Sequence, residues 1–385
     1  MLFANELKKH ILKKTSRRSP VAIDEKAKAR LGELRSDIDA ADARILKLLN
    51  ERAKLALEVG KVKQSKGATF YVPAREEDLV RRLTELNEGP YPTSGIRPVW
   101  KEIISASLSL EQPLSVAYLG PQATFTHQAC RKRFGLSARY LPVRTISDVF
   151  DHVEKGKADY GVIPVENTTE GVVSHTLDKF MDSEMKIVGE VALRICQNLL
   201  NLSGNLDDVK RVYSHPHALA QCRDWLEANM PTVPVLDASS TSQAAKIAAE
   251  DEGAAAIAGV LAADLYGLET VEASIEDNPN NFTRFLVIGR DMPERGEHNK
   301  TTILFSVKDQ AGALYKMLSP FNENNINLTK IESRPHRRKA WEYVFFLDCL
   351  AHIDEPNLQK ALEGLDKVCR YVKVLGSYPI EEPEG

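Results

Sequence analysis

The sequence predicts three folded parts in a row: an all-α segment, an α/β segment and a small α+β segment. Three observations predict them. Residues 28–112 place apolar side chains at steps of three and four, residues 114–294 alternate strand and helix patterns, and residues 300–380 follow the order βαββαβ. A chain of 385 residues is long enough for two or three ordinary domains. Its 43% hydrophobic and 27% charged residues fit a globular protein, and a net charge of −3 gives no overall footprint for nucleic acid. No apolar run approaches the roughly 18 residues of a membrane span.

Residues 1–27 form a basic extension, opening "MLFANELKKHILKKTSRRSP". It lacks the apolar block and small-residue cleavage site of a secretory signal, and reads as a solvated extension, with a transit segment as the alternative. The cysteines (Cys130, Cys196, Cys222, Cys349, Cys369) are odd in number and form no CxxC pair. They read as reduced thiols of a cytoplasmic protein, with no disulfide frame and no metal site.

In the helical part the apolar positions run Leu31, Leu34, Ile38, Ala41, Ile45, Leu48, then Leu55, Val59 and Val62, a heptad seam. The spacing predicts one helix over about 28–66, ended by Gly67. Pro73 opens a second over about 73–88. Gly89, Pro90, Pro92 and Gly95 then break the chain before a third, about 97–111. Arg52 interrupts the seam. A charge there needs a partner, which is either a carboxylate of the protein or an anionic ligand. Lys63 follows on the same face, Arg75 opens the second helix, and Arg35 lies near the start of the first. Arg35 and Lys63 are roughly 42 Å apart along the helix, too far to share one small ligand within one chain. A shared site and an uncovered seam both call for a second subunit.

In the α/β part "LSVAYLG", "ADYGVIPVE", "MKIVGEVAL", "VKRVYSH", "GAAAIAG" and "FLVIG" read as strands. Helices follow near 124–134, 216–229 and 241–251. Loops rich in hydroxyls, amides or His ("VENTTEGVVSHT", "YSHPHALAQC", "ASSTSQAA") stand at the strand ends, where such folds bind anions. Thr283 stands at the seam between an Asn-rich loop and the strand FLVIG. By itself it reads as local strand-entry chemistry; the polar loops around it point to a cleft. In the last part, strand (TTILFSV), helix (311–323), two strands (INLTKIES, WEYVFFLDC), helix (356–368) and strand (RYVKVLG) give the ferredoxin-like order.

The segments "LRSDIDAADARILKLLNERAKLALEVGKVK", "PAREEDL" and "IISASLSLEQ" resemble the helical chorismate mutase family over about 80 residues. The resemblance implies that Arg35, Arg52, Lys63, Val72, Arg75, Glu76, Ser107 and Glu111 bind chorismate, with Arg35 given by a partner subunit. Lys63 is the implied donor to the ether oxygen. Glu76 would accept from the substrate hydroxyl, and Ser107 and Glu111 would line the far wall. Val72 stands where an acidic residue is frequent and would act through its backbone N–H. Glu111 stands where Gln is frequent, and donates only as the acid. The rearrangement needs no cofactor: the protein holds a dicarboxylate in a compact conformer and stabilises charge on the breaking ether oxygen.

"YLGPQATFT", "ADYGVIPVENTTEG", "VYSHPHALAQC", "STSQAA" and "NFTRF", in this order over some 180 residues, resemble prephenate dehydratase. That family has two lobes like those of periplasmic binding proteins. The resemblance implies that Thr283 assists departure of the ring hydroxyl. Asn167, Thr168, Ser214, Phe282 and Arg284 would orient prephenate, with Arg284 on a carboxylate. His215 is either a site residue or a satisfied loop histidine. Residues 300–380 resemble an ACT domain through "GALY" and "ESRP". By that resemblance Gly312, Ala313, Leu314, Glu332, Ser333, Arg334 and Pro335 bind phenylalanine, with Tyr315 where Val is common. Together these imply a bifunctional enzyme taking chorismate through prephenate to phenylpyruvate, at least dimeric and subject to feedback, with no nucleic-acid or membrane partner. An arogenate dehydratase is the rival enzyme; a two-lobed solute-binding protein and a regulatory protein with dead sites are the non-enzymatic rivals.

Overall fold

The structure, a computed structural model, describes residues 24–66, 73–307, 311–335 and 343–380. They fall into two units that meet between Glu58 and Val59. The first unit is the greater part of one helix, α1 (Glu25–Lys66). It begins three residues before the expected start because Asp24 caps it: the Lys26 amide donates to the Asp24 carboxylate at 2.6 Å. The seam is bare. Leu31 is 40% exposed and Leu55 63%, with Leu34, Ile38, Ile45 and Leu48 between these values.

The second unit opens with the last turns of α1, then α2 (Pro73–Glu85) and α3 (Ile96–Glu111). α2 packs on α3. Arg97 grips Glu77 with two parallel bonds of 2.8 and 2.7 Å. Gly60 lets the end of α3 come close, since a Cβ there would stand 2.9 Å from Glu111 Cγ.

Two sheets follow. The first runs through β1 (Ser115–Leu119), β2 (Arg139–Val143), β3 (Tyr160–Asn167), β5 (Lys186–Arg194) and β11 (Phe282–Gly289), in the order β2-β1-β3-β11-β5, with β4 (Gly171–Val172) added beside β3. Helix α4 (Phe125–Phe134) covers one face; α5 (Ile146–Glu154) and α6 (Ser174–Asp182) cover part of the other. The chain then leaves for a second sheet, β10-β6-β9-β7-β8. Its strands are β6 (Asn198–Asn201), β7 (Arg211–Ser214), β8 (Val235–Asp237), β9 (Ala254–Ala258) and β10 (Glu269–Glu272). It returns as β11, which lies antiparallel between β3 and β5. One crossing out and one back make two lobes. Helix 216–229 is in fact two, α7 (Pro216–Gln221) and α8 (Arg223–Asn229), because Cys222 leaves helical geometry at φ −119°, ψ 19°. α9 (Thr241–Ala249) and α10 (Val260–Tyr266) complete the second lobe.

The last sheet is wholly antiparallel, β13-β14-β12-β15: β12 (Asn299–Val307), β13 (Leu328–Pro335), β14 (Tyr343–Cys349) and β15 (Tyr371–Pro379). Its alternating residues serve two cores. Ile303, Phe305 and Leu347 pack under α11 (Ala313–Glu323) and α12 (Pro356–Val368). Leu304, Val344, Phe346, Leu375 and Tyr378 face the other way and share a core with Ile163, Val165, Ile187, Leu286 and Ile288 of the first lobe. The C-terminal sheet is thus packed face to face on the first sheet.

Gly376 marks the closest approach of these sheets. A Cβ on it would lie 2.1 Å from the Ile187 carbonyl oxygen, so only hydrogen fits. Gly376→Ala is expected to lower stability by about 1–3 kcal/mol, the usual cost of overpacking. Denaturant unfolding reads this directly, and an unchanged midpoint would mean that β15 does not lie on β5 in solution.

Candidate functional site

Thr283 is inside a strand and not at a loop seam: β11 begins at Phe282 and pairs from its first residues with β5. Thr283 stands opposite Asn167 on β3 and Leu193 on β5. It therefore faces the side of the sheet that carries Leu193 and α4. Its hydroxyl accepts a 2.8 Å bond from Asn167 Nδ2. The same amide nitrogen donates to Asn281 Oδ1, also at 2.8 Å. Asn167 is in turn fixed from behind, because its Oδ1 accepts from the backbone amides of Thr169 (2.8 Å) and Glu170 (2.9 Å). These bonds settle which end of the amide is which. With its oxygen accepting from Asn167, Thr283 keeps its own proton for another acceptor.

The other expected dehydratase residues divide. Thr168 binds backbone on both sides, accepting from Phe282 N (2.9 Å) and donating to Asn280 O (3.0 Å). It clamps the start of β11 to the end of β3. Ser214 is fully buried and donates to the Ile257 carbonyl at 2.6 Å, tying β7 to β9. His215 caps α7 by accepting from His217 N at 3.3 Å, the satisfied reading. Phe282 is 37% exposed and lines a cavity of about 550 Å³ with Leu193, Arg131, Lys132 and Arg194.

Arg284, expected on a substrate carboxylate, is held by carboxylates of the protein. One residue after Thr283, it points to the opposite face. There it binds Glu166 (3.0 Å), Glu190 (2.7 Å) and Asp348 (2.8 Å), and donates to the Tyr378 hydroxyl at 3.2 Å. Its side chain is 16% exposed and its charge is matched by these carboxylates. Burial works against the cation, but Tyr378, Asp348, Glu190 and Glu166 hold its pKa above the ordinary value. Burial likewise pushes the Glu166 carboxyl up, yet Lys330 and Arg284 bring it below the usual range.

Contacts between the lobes went unread in the sequence. Glu170 meets His217 Nδ1 at 2.9 Å and Gln221 Nε2 at 3.1 Å, and Ser242 donates to the Gln122 carbonyl. The polar loops were visible as clusters, but which residues meet across a cleft depends on closure of the lobes. Asn281 was inside the quoted NFTRF stretch and was also passed over. Among the described residues, no group of three or more His, Cys, Asp or Glu is gathered to hold a metal.

Of the expected mutase residues, Val72 lies outside the described residues. In the first unit Arg35 is exposed and Arg52 half-buried. In the second, Lys63 and Glu76 are half-buried, Arg75 is exposed, and Ser107 is buried with its hydroxyl on the Ile103 carbonyl at 2.7 Å. Glu111 packs on Gly60. In the C-terminal part Gly312 holds a left-handed φ of 76° at the start of α11, and Ala313 is half-buried beside an exposed Leu314. Glu332 and Arg334 share one face of β13, Ser333 and Pro335 the other; Arg334 Nε is 3.7 Å from Asp178 of the first lobe.

Burial raises the Glu76 carboxyl to about 7, with Arg133 opposing, Glu77 adding and Lys101 opposing. The folded chain therefore keeps this proton up to about pH 7, while the unfolded chain releases it near 4.5. Stability should fall as pH rises between these values, by on the order of 3 kcal/mol. Glu76→Gln should flatten that decline in pH-dependent denaturation, and an unaltered slope would show that Glu76 is ionised in the folded state.

Residues 34–112 match the family description chorismate mutase type II, residues 116–293 prephenate dehydratase and residues 301–367 ACT domain. The chain is 51% identical over 354 residues to the bifunctional chorismate mutase/prephenate dehydratase of Aquifex aeolicus, covering 91% of this chain and 98% of that protein. It is 34% identical over 374 residues to the protein of the same name from Escherichia coli K12, covering 90% and 96%. The solved prephenate dehydratase of Arthrobacter aurescens, in complex with L-Phe, superposes with a TM-score of 0.64 at 34% identity, covering 69% of this chain and 90% of that one.

Proposed function

The chain belongs to the bifunctional chorismate mutase/prephenate dehydratase family, and we propose that it performs both reactions, with Thr283 as the donor in the second. Prephenate loses carbon dioxide and its ring hydroxyl as the ring becomes aromatic. Hydroxide leaves poorly, so a donor aimed at that oxygen is the main assistance a protein can add. The observation that carries this reading is the Asn167–Thr283 bond of 2.8 Å with Asn167 pinned by two backbone amides. It holds the Thr283 oxygen in place before substrate arrives and leaves its proton for another acceptor, which is preorganisation. A threonine hydroxyl is a weak acid, and its role is to donate a hydrogen bond. The purified full chain given chorismate should yield phenylpyruvate with no added cofactor. Thr283→Val should stop at prephenate, with dehydratase slowed about 10²–10³-fold. Near-normal dehydratase in that variant would remove Thr283 from the mechanism.

The mutase site is proposed to combine Arg52, Lys63, Arg75, Glu76, Ser107 and Glu111 with Arg35 of a second copy. The apolar seam of α1, 40–63% exposed at Leu31 to Leu55, is the surface that copy would cover. Arg35→Ala and Arg52→Ala proteins should each lack mutase activity. Refolded together they should regain part of it, since some sites then draw both arginines from intact chains. A verified heterodimer without recovery would mean that each site is built within one chain.

Phenylalanine is the proposed effector, bound where Gly312 opens α11. No helix among the described residues is long and apolar enough to cross a membrane. Free thiols at all five cysteines fit a cytoplasmic location.

A further inference from the structure

The chain crosses between the two lobes twice, outward at residues 195–197 and back at residues 273–281. The two crossings are tied to each other. Ile195 N donates to the Asn281 carbonyl at 2.8 Å, Ile275 N to the Gln197 carbonyl at 2.8 Å, and Gln197 N to Glu276 Oε2 at 2.8 Å. Gln197, Glu276 and Asn281 are all buried. This strap joins the lobes, and any change in the angle between them bends it.

From the strap a relay of side chains runs to the contact between the lobes. Gln197 Nε2 donates to Gln221 Oε1 at 3.1 Å, and Gln221 Nε2 donates to Glu170 Oε1 at 3.1 Å. The other oxygen of Glu170 meets His217 Nδ1 at 2.9 Å. Gln221 and His217 belong to α7 of the second lobe, and Glu170 to the loop after β3 in the first. The Gln221 carbonyl also accepts from Asp277 N at 2.7 Å, which fixes α7 to the returning crossing. On the other side, the backbone amide of Glu170 donates to Asn167 Oδ1, and Asn167 Nδ2 donates to Thr283 and to Asn281. Asn281 leads back to Ile195, two residues before Gln197. The bonds close a circuit through both lobes, the strap and Asn167.

The circuit has a direction. A carboxylate only accepts, so Gln221 turns its NH2 toward Glu170 and its oxygen toward Gln197. Gln197 must then present its own NH2. Its Oε1 is buried and accepts from none of the described residues, so no bond on that side decides which way the amide points. The charge of Glu170 decides it, through Gln221.

We propose that Gln197 is a positioning residue of the dehydratase, which acts through Gln221 on Glu170 and sets the angle at which the lobes close over the substrate. The closed arrangement is the one in which the Glu170 loop also fixes Asn167. Without the relay the closed form is less populated in the free protein, and substrate binding must make up the difference. Apparent affinity then falls, while the chemistry of the closed form is unchanged. The proposal rests on the reading of Thr283 as the donor in prephenate dehydration.

The test uses the full chain, with thermal melting as the check of folding and mutase turnover as the internal control. Gln197→Leu removes the donor and keeps a side chain of similar size. It should raise KM for prephenate about 3- to 10-fold, the weight of one hydrogen bond, with kcat within about twofold of wild type. Hydrogen exchange at the Thr169 and Glu170 amides, which donate to Asn167, should quicken in the free protein. Gln197→Glu should be no better, because Gln221 then meets an acceptor on both sides. Adding Glu170→Gln to Gln197→Glu should recover most of the wild-type KM. The new amide at 170 donates to Gln221 Oε1, Gln221 donates to the new carboxylate at 197, and the relay runs in reverse. A side chain that only filled space in the strap would show no such rescue. If Gln197→Glu does not fold beside Glu276, Gln197→Leu is combined with Gln221→Leu, and the pair should lose no more than the worse single. Wild-type KM and exchange in folded Gln197→Leu would overturn the proposal. So would a lower kcat at unchanged KM, a reversed pair no better than Gln197→Glu, or an additive loss in the leucine pair. A wild-type chain without dehydratase activity would instead defeat the underlying functional reading.

Discussion

The two-residue alternation of a β-strand is the constraint on which this molecule depends. β11 crosses back from the second lobe and enters the middle of the first sheet. Every one of its side chains must then choose a face. Thr283, Phe285 and Val287 fall on the α4 side; Arg284, Leu286 and Ile288 fall on the side of the C-terminal sheet. A hydroxyl bonded to Asn167 and a guanidinium bonded to three carboxylates are thereby placed one residue apart and aimed in opposite directions. The tripeptide Thr-Arg-Phe reads as one functional block, yet its members serve separate layers.

That is also why the sequence was legible in some places and not in others. The heptad seam, the βαββαβ order and the main strands follow from hydrophobic period, and they stand where the period puts them. Strand β11 starts three residues before its apolar run, because Phe282, Thr283 and Arg284 gain ladder partners on both sides that period alone cannot reveal. The family resemblance implies a substrate carboxylate for Arg284, and nothing near it in the sequence points to the protein carboxylates it binds. Those partners, Glu166, Glu190 and Asp348, lie 118, 94 and 64 positions away, counted as 284−166, 284−190 and 348−284. The bond from Ser214 to the Ile257 carbonyl is hidden for a similar reason, since its partner lies on another strand 43 positions away.

Burying six charges between two sheets (Arg284, Lys300 and Lys330 against Glu166, Glu190 and Asp348) needs its own explanation. Apolar side chains of the same volume would often hold such an interface at least as well, since desolvation offsets most of the attraction between buried ions. Apolar contacts, however, tolerate sliding. The interface already has them in Leu304, Val344, Phe346 and Leu375, and they give the sheets adhesion without a unique register. Paired charges penalise every displacement that separates them. A slip of one residue along β11 would turn Arg284 toward the α4 side and Thr283 toward the C-terminal sheet. The cation would then be stranded among Leu193 and Val191 of β5, and three carboxylates would be left facing only two lysines. The register that places the Thr283 hydroxyl against Asn167 is the same one that neutralises the cluster. Strand pairing, domain attachment and the orientation of the Thr283 hydroxyl are therefore one constraint met by adjacent residues.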